Sequence, residues 1–157
     1  MELSNTTPNF LEPEGGNYRL VVYGTGNDLS TEMFTELRQG GYALTKGQVE
    51  SATLKCIKEY AGWAVLNAQR TTKSGFALNL DISLTGDEAS IIKAYLHAYC
   101  DLLQARLSDA SKAMGVSGYA MDLQMATSNL EVAREKMKAE AYFEPPLMLT
   151  KATPRKF

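Results

Sequence analysis

A chain of 157 residues with 45% hydrophobic and 22% charged residues is long enough for one domain whose core needs no metal or disulfide to hold it. Its formal net charge of −2 excludes a surface that is basic overall, the kind that coats nucleic acid or an acidic membrane. Cys56 and Cys100 make no CxxC pair and fit a reducing, cytoplasmic setting; no early apolar run resembles a signal peptide, and no stretch of about 18 apolar residues spans a bilayer.

Residues 1–16 hold Pro8, Pro13, Gly15 and Gly16 among isolated apolar anchors, Leu3, Phe10 and Leu11, and read as an extended arm. Tyr18 to Tyr23 has the aromatic and β-branched composition of a strand, ended by Gly24-Thr25-Gly26-Asn27. Ser30 is the expected cap of a first helix running to about Gln39, with Leu29 and Phe34 as a hydrophobic staple and Gly40-Gly41 closing it. Thr45 and Gln48 then form a capping box for a second helix, expected from Lys46 to about Arg70, with Val49, Ala52, Cys56, Tyr60 and Trp63 on its buried face. Gly62 inside it predicts the close approach of another backbone.

The cleanest pattern in the chain is Phe76-Ala77-Leu78-Asn79-Leu80-Asp81-Ile82-Ser83-Leu84, apolar at every even position and small or polar at every odd one. That is the period of a strand with one buried face, and a strand needs a partner for its backbone groups. Residues 18–23 are the one intrachain candidate. Thr85 and Glu88 make a second capping box, and Ile91, Ile92, Tyr95, Leu96, Tyr99, Leu102, Leu103 and Leu107 give the third helix a face wide enough to be contacted from two sides; Gly115 closes it. A fourth helix, about Gly118 to Phe143, carries a narrow seam of Tyr119, Leu123, Ala126, Leu130, Ala133, Met137 and Ala141, which packs helix on helix. Pro145-Pro146 ends it, and the tail that follows carries Leu147, Met148, Leu149 and Phe157.

Chemistry-bearing patterns are few. The order strand, glycine turn, helix at 24–27 is that of a phosphate-binding loop, but it lacks the third glycine and the Gly-Lys-Ser/Thr, and reads as a plain turn. His97, the sole histidine, shares a helix with Cys100 and Asp101 at acid–base spacings, and reads as a partly buried structural residue. Asn79, Asp81 and Ser83 read as the solvated face of a half-exposed sheet. The helices at 30–39 and 46–70 have the order of a DNA-reading pair, but Lys46-Gly47-Gln48-Val49-Glu50 is weakly basic and a packing hairpin is expected. No catalytic residue, cofactor or metal ligand set is expected.

Charge is divided along the chain. Residues 1–36 contain six acids against Arg19 alone, whereas Lys151, Arg155 and Lys156 face no acid in the last thirteen residues. Arms with apolar anchors need a surface to bury them, because ordering costs on the order of 1 kcal/mol per residue. The fold expected is α+β and predominantly α-helical: four helices, a small β element with strands near 18–23 and 76–84, one globular domain over 17–143, and arms at 1–16 and 144–157. Helices with one strand or hairpin and long terminal arms, on a small acidic protein, resemble the head-completion and connector proteins of tailed bacteriophages. That resemblance implies a non-enzymatic assembly protein, a virion component, forming a homo-oligomeric ring or array. Its interface candidates are Phe76, Leu78, Leu80, Ile82 and Leu84 in the strand and Phe10, Leu11, Leu147, Leu149 and Phe157 in arms that clasp other assembly proteins. The alternative is a small DNA-associated or regulatory module, akin to a terminase small subunit or an inhibitor of a host factor, using residues 30–70 and the basic tail.

Overall fold

Threonine followed three residues later by a side chain that accepts a hydrogen bond occurs at Thr25–Asp28, Thr45–Gln48 and Thr85–Glu88, and a helix begins at each. In every case the threonine hydroxyl accepts the N–H three residues on, while that residue's side chain accepts the threonine N–H. These boxes open α1 (Gly26–Gln39), α2 (Lys46–Trp63) and α4 (Gly86–Ala113). The computed structural model describes residues 21–70, 72, 75–115 and 121–142; the remaining described elements are β1 (Val22–Thr25), α3 (Asn67–Arg70), β2 (Ser83–Thr85) and α5 (Leu123–Tyr142). The protein is an α+β fold dominated by helix.

β1 and β2 pair antiparallel, Val22 opposite Thr85, Gly24 opposite Leu84 and Thr25 opposite Ser83, with an irregularity between Val22 and Gly24. The strand over 76–84 therefore finds its partner within the chain. Its alternation is realised in burial along the whole stretch, with Phe76, Leu78 and Leu80 half-buried, Ile82 and Leu84 buried, and the intervening residues exposed. Only its end forms a ladder, because beyond Ser83 the carbonyls meet a helix instead: Gly26 N–H donates to Ile82 O at 3.1 Å and Asn27 N–H to Leu80 O at 2.9 Å. β1 also sits later than residues 18–23, of which 18–20 lie outside the described residues.

The first helix departs most from expectation. Its cap is Thr25, not Ser30, whose hydroxyl donates to Asn27 O from inside the helix. Two glycines disguise this start as a turn, yet each has a local cause. Gly24 has φ +147°, a conformation other residues resist, and a Cβ at Gly26 would lie 3.0 Å from Ile57 Cδ1 and 3.0 Å from Leu80 O. Gly41 and Gly115, with φ +80° and +85°, sit just past α1 and α4 as expected.

α2 ends at Trp63 rather than near Arg70, and Gly62 approaches no other backbone: nothing lies within 4 Å of the position its Cβ would occupy. Ala64 turns extended, Leu66 plunges into the core, and α3 restarts with Leu66 N–H on Gln69 Oε1 and Asn67 N–H on Glu88 Oε1, at 2.9 and 2.7 Å. Gly62 stands one residue before the end of α2, and Glu88, 21 residues beyond Asn67, holds the restart in place.

α4 packs against α1, α2 and α5, burying Ile92, Tyr95, Leu96, Cys100 and Leu102, while Leu107 near its end is 37% exposed. The seam of α5 closes within the chain, with Ala126, Met137 and Ala141 buried against α4 and α2. Tyr119 and the expected helix start at Gly118 lie outside the described residues, as do both arms; among the described residues α5 begins at Leu123.

Glu88 is 6% exposed and accepts two backbone N–H groups, from Thr85 and Asn67. Glu88→Ala strands both donors and is expected to lower unfolding free energy by about 2–4 kcal/mol, with Glu88→Gln intermediate, in denaturant melts followed by circular dichroism. A loss no larger than that of an exposed surface alanine refutes the shared role.

Candidate functional site

The groups singled out from sequence are placed by the helices, and most are already engaged. The N–H groups of Gly26 and Asn27, which a phosphate would need, donate to carbonyls of residues 80 and 82, and Thr25 N–H donates to Asp28 Oδ2 at 2.7 Å. These last contacts hold the Asp28 carboxyl below the usual carboxylate range, first through the Thr25 N–H and then through its hydroxyl. The loop is the start of a helix and offers no free donor set at those positions. Asn79, Asp81 and Ser83 are exposed; Asp81 Oδ1 takes Asn27 Nδ2–H at 2.8 Å, so the polar face braces α1.

His97 is exposed rather than partly buried, because its position on α4 faces away from the core. Cys100, three residues on, turns the other way and is fully buried, so the two share a helix and no site. Burial pushes the Cys100 thiol up to about 12 and the Cys56 thiol well above its ordinary value, which keeps both as protonated, unreactive core groups at neutral pH. The partner His97 does have is Asp101: Nδ1 lies 3.3 Å from Oδ2, and the other carboxylate oxygen accepts the Tyr42 hydroxyl. Tyr42 and His97 meet edge to face, 6.3 Å between ring centroids.

This Tyr42–Asp101–His97 cluster is the nearest approach to chemistry. An imidazole oriented by a carboxylate can exchange a proton, but catalysis needs a nucleophile or polarising donors around one reacting atom. The surface beside it is a shallow groove of about 500 Å³ over Ser90, Lys93, Ala94, His97, Ala98 and Asp101 of α4. Lys93 is bound to Glu32 and Glu36 at 2.6 and 2.7 Å, and Glu32 also accepts the Tyr23 hydroxyl. Those two carboxylates raise the ammonium pKa and fix α1 to α4. Gln104 Oε1 accepts Ala43 N–H at 2.9 Å, and together with the Tyr42–Asp101 contact it pins the α1–α2 connection to α4. No group of three or more His, Cys, Asp or Glu placed to hold a metal ion exists among the described residues.

Glu59 forms the other buried polar junction. Its Oε2 accepts the Tyr95 hydroxyl at 2.7 Å, and its Oε1, sealed from solvent, faces Arg134 Nε at 2.5 Å in an ionic contact rather than an aligned hydrogen bond. Lys138 adds a contact over the Trp63 ring at 4.5 Å. These join α5 to α2 and α4.

The interface candidates divide. Ile82 and Leu84 close the chain's own core, Phe76, Leu78 and Leu80 pack at its edge, and Phe10, Leu11, Leu147, Leu149 and Phe157 lie outside the described residues. What sequence reading missed is a set of large apolar side chains left in solvent: Val21, Val22, Val65, Leu107, Met114, Met121, Met125 and Val132. Met125 and Val132, seven residues apart, lie exposed on α5, a signal overshadowed by the stronger seam of buried residues, and Met121 stands just before that helix. No protein-family model, curated protein or solved structure matches the chain.

Burial, followed by the hydrogen bond to Asp101, pushes the Tyr42 phenol up to about 12 from 10.0, and burial likewise raises Tyr95. A phenol that keeps its proton longer folded than unfolded stabilises fully below the unfolded value and loses that contribution as pH climbs through the folded one. Stability is therefore expected to fall between about pH 10 and 12, with tyrosinate absorbance rising later than in the unfolded chain. Tyr42→Phe should remove part of this alkaline loss; an unchanged profile refutes the assignment.

Proposed function

We propose that the protein is a non-enzymatic assembly component that builds a homo-oligomeric ring or array, in the manner of the head-completion and connector proteins of tailed phages. The observation that carries this reading is the exposure of large apolar side chains, with Met114 at 85%, Val21 at 75% and Val22 at 67%. Large apolar side chains gain by leaving water, and an exposed group of them offers a place for proteins to meet. Meanwhile the histidine, acidic and phenolic groups that enzymes use are spent on holding helices together.

On this reading the arms at 1–16 and 144–157 engage neighbouring subunits, and the protein works in a reducing cytoplasm or in a virion. No described helix is long and apolar enough to cross a membrane. The DNA-binding alternative draws less support: Lys46 is paired with Glu50, and Lys55 lies over Tyr99.

Light scattering on the purified protein is expected to give a multiple of the 17.2 kDa chain mass. A monomer at all salt concentrations overturns the assembly reading, and salt-dependent retention on DNA, lost on deleting residues 151–157, replaces it with the alternative. Removing residues 1–14 is expected to leave helical content nearly unchanged and to weaken association.

A further inference from the structure

Asp101 is a carboxylate largely withdrawn from water, its side chain 16% exposed, and the groups that meet it are the Tyr42 hydroxyl and, at 3.3 Å, the His97 ring nitrogen. A hydroxyl carries no charge, and an imidazole carries one only when protonated. A carboxylate has about four acceptor sites, so these two contacts leave capacity unused. The cations of the surrounding elements are engaged elsewhere: Lys93 with Glu32 and Glu36, Lys46 with Glu50, and Arg38 over the ring of Phe34 at 6.0 Å, while Arg106 stands in solvent. A charge withdrawn from water calls for a counter-charge.

Beside this carboxylate the surface opens into a cavity of about 140 Å³, lined by Gly40, Gly41, Tyr42, Asp101, Ala105 and Met121. At roughly 30 Å³ per water molecule that is the space of about four or five waters, too little for a nucleotide or a peptide and enough for the head of one small organic ion. Its walls share one electrostatic sign. Besides Asp101, α1 ends here, and a helix C-terminus carries partial negative charge, as does the face of the Tyr42 ring. No Lys, Arg or His is among the described residues that line it. Gly41, with φ +80° and nothing within 4 Å of the place its Cβ would take, keeps one wall bare of side chain. Buried Ala105 and Met121, which is 39% exposed, supply apolar surface.

We propose that this cavity binds a small organic cation through a guanidinium head. A guanidinium is planar and weakly hydrated, donates to a carboxylate in its own plane and stacks on an aromatic face, so it suits Asp101 beside Tyr42 better than the strongly hydrated ammonium does. A metal ion is a poor fit, because no group of three or more ligating side chains is placed for one among the described residues. The same head arrives either on a free molecule or on an arginine of a neighbouring copy. The site does not depend on the assembly reading.

n-Propylguanidinium is the probe, with n-propylurea as its neutral isostere. In nitrogen–proton NMR spectra of the whole chain, the guanidinium is expected to shift the amides of Gly40, Gly41 and Asp101 saturably, with a dissociation constant on the order of 1 mM, and the urea to shift none. Asp101→Asn should weaken binding about tenfold or more. Because that substitution also alters the Tyr42 contact, Met121→Lys is the second variant: it sets a cation of the chain's own at the cavity wall from a part-exposed position, and should weaken binding as much with unchanged circular dichroism. Absence of saturation up to about 50 mM, an equal response to the urea, or parental affinity in both variants overturns the proposal. Light scattering with the probe at saturation separates the sources, and either result upholds the site: a fall in assembled mass assigns the head to an arginine of a neighbouring copy, and an unchanged mass to a free molecule.

Discussion

Everything in the fold hangs on the way the backbone at residues 80–82 meets the first turn of α1. A helix start leaves N–H groups without partners in its own helix, and here the carbonyls of Leu80 and Ile82 accept two of them. The same segment continues into β2, pairs with β1 and launches α4 through Thr85. One extended stretch thus satisfies a strand, completes one helix and begins another. The approach is close enough that a Cβ at residue 26 would press on Leu80 O at 3.0 Å.

From that joint, α4 acts as the post to which the other long helices are tied, each by burial and by one polar contact that fixes rotation and height. Lys93 holds α1 through two carboxylates, Asp101 and Gln104 hold the connection to α2, and Tyr95 meets Glu59 where Arg134 brings in α5. The surface pairs add little energy individually, since exposed ion pairs contribute roughly 0–1 kcal/mol. Their effect is to select one arrangement of helices among several that would bury similar apolar area. They also engage Asp101, one of the polar residues most suggestive of chemistry, in tying the α1–α2 connection to α4.

Local signals in the sequence were read correctly where the physics is local. The Thr45 and Thr85 boxes, the glycines after α1 and α4, the wide face of α4 and the inner seam of α5 all rest on patterns within one element or at its ends. The alternation over 76–84 marks the side chains that turn inward even though only two of those residues, Ser83 and Leu84, enter the ladder. What escaped reading depends on distant partners. Thr25 is hidden because glycine at 26 looks like a breaker until the crowding by Ile57 and Leu80 is seen, and the restart after α2 is hidden because it depends on Glu88 capturing Asn67. His97 turned outward to share Asp101 with Tyr42, a residue 59 positions from that aspartate, which no spacing rule announces.

The distribution of sulfur in the molecule has a chemical consequence of its own. Both thiols are in the core, where burial keeps them protonated, while Met114, Met121 and Met125 stand in solvent at one end. Peroxide reaching this protein therefore meets thioethers before thiols. Conversion to sulfoxide turns an apolar surface polar without touching any residue that holds the fold. Oxidative damage is thus directed to exposed side chains, and a methionine sulfoxide reductase could restore them on a chain that never unfolded.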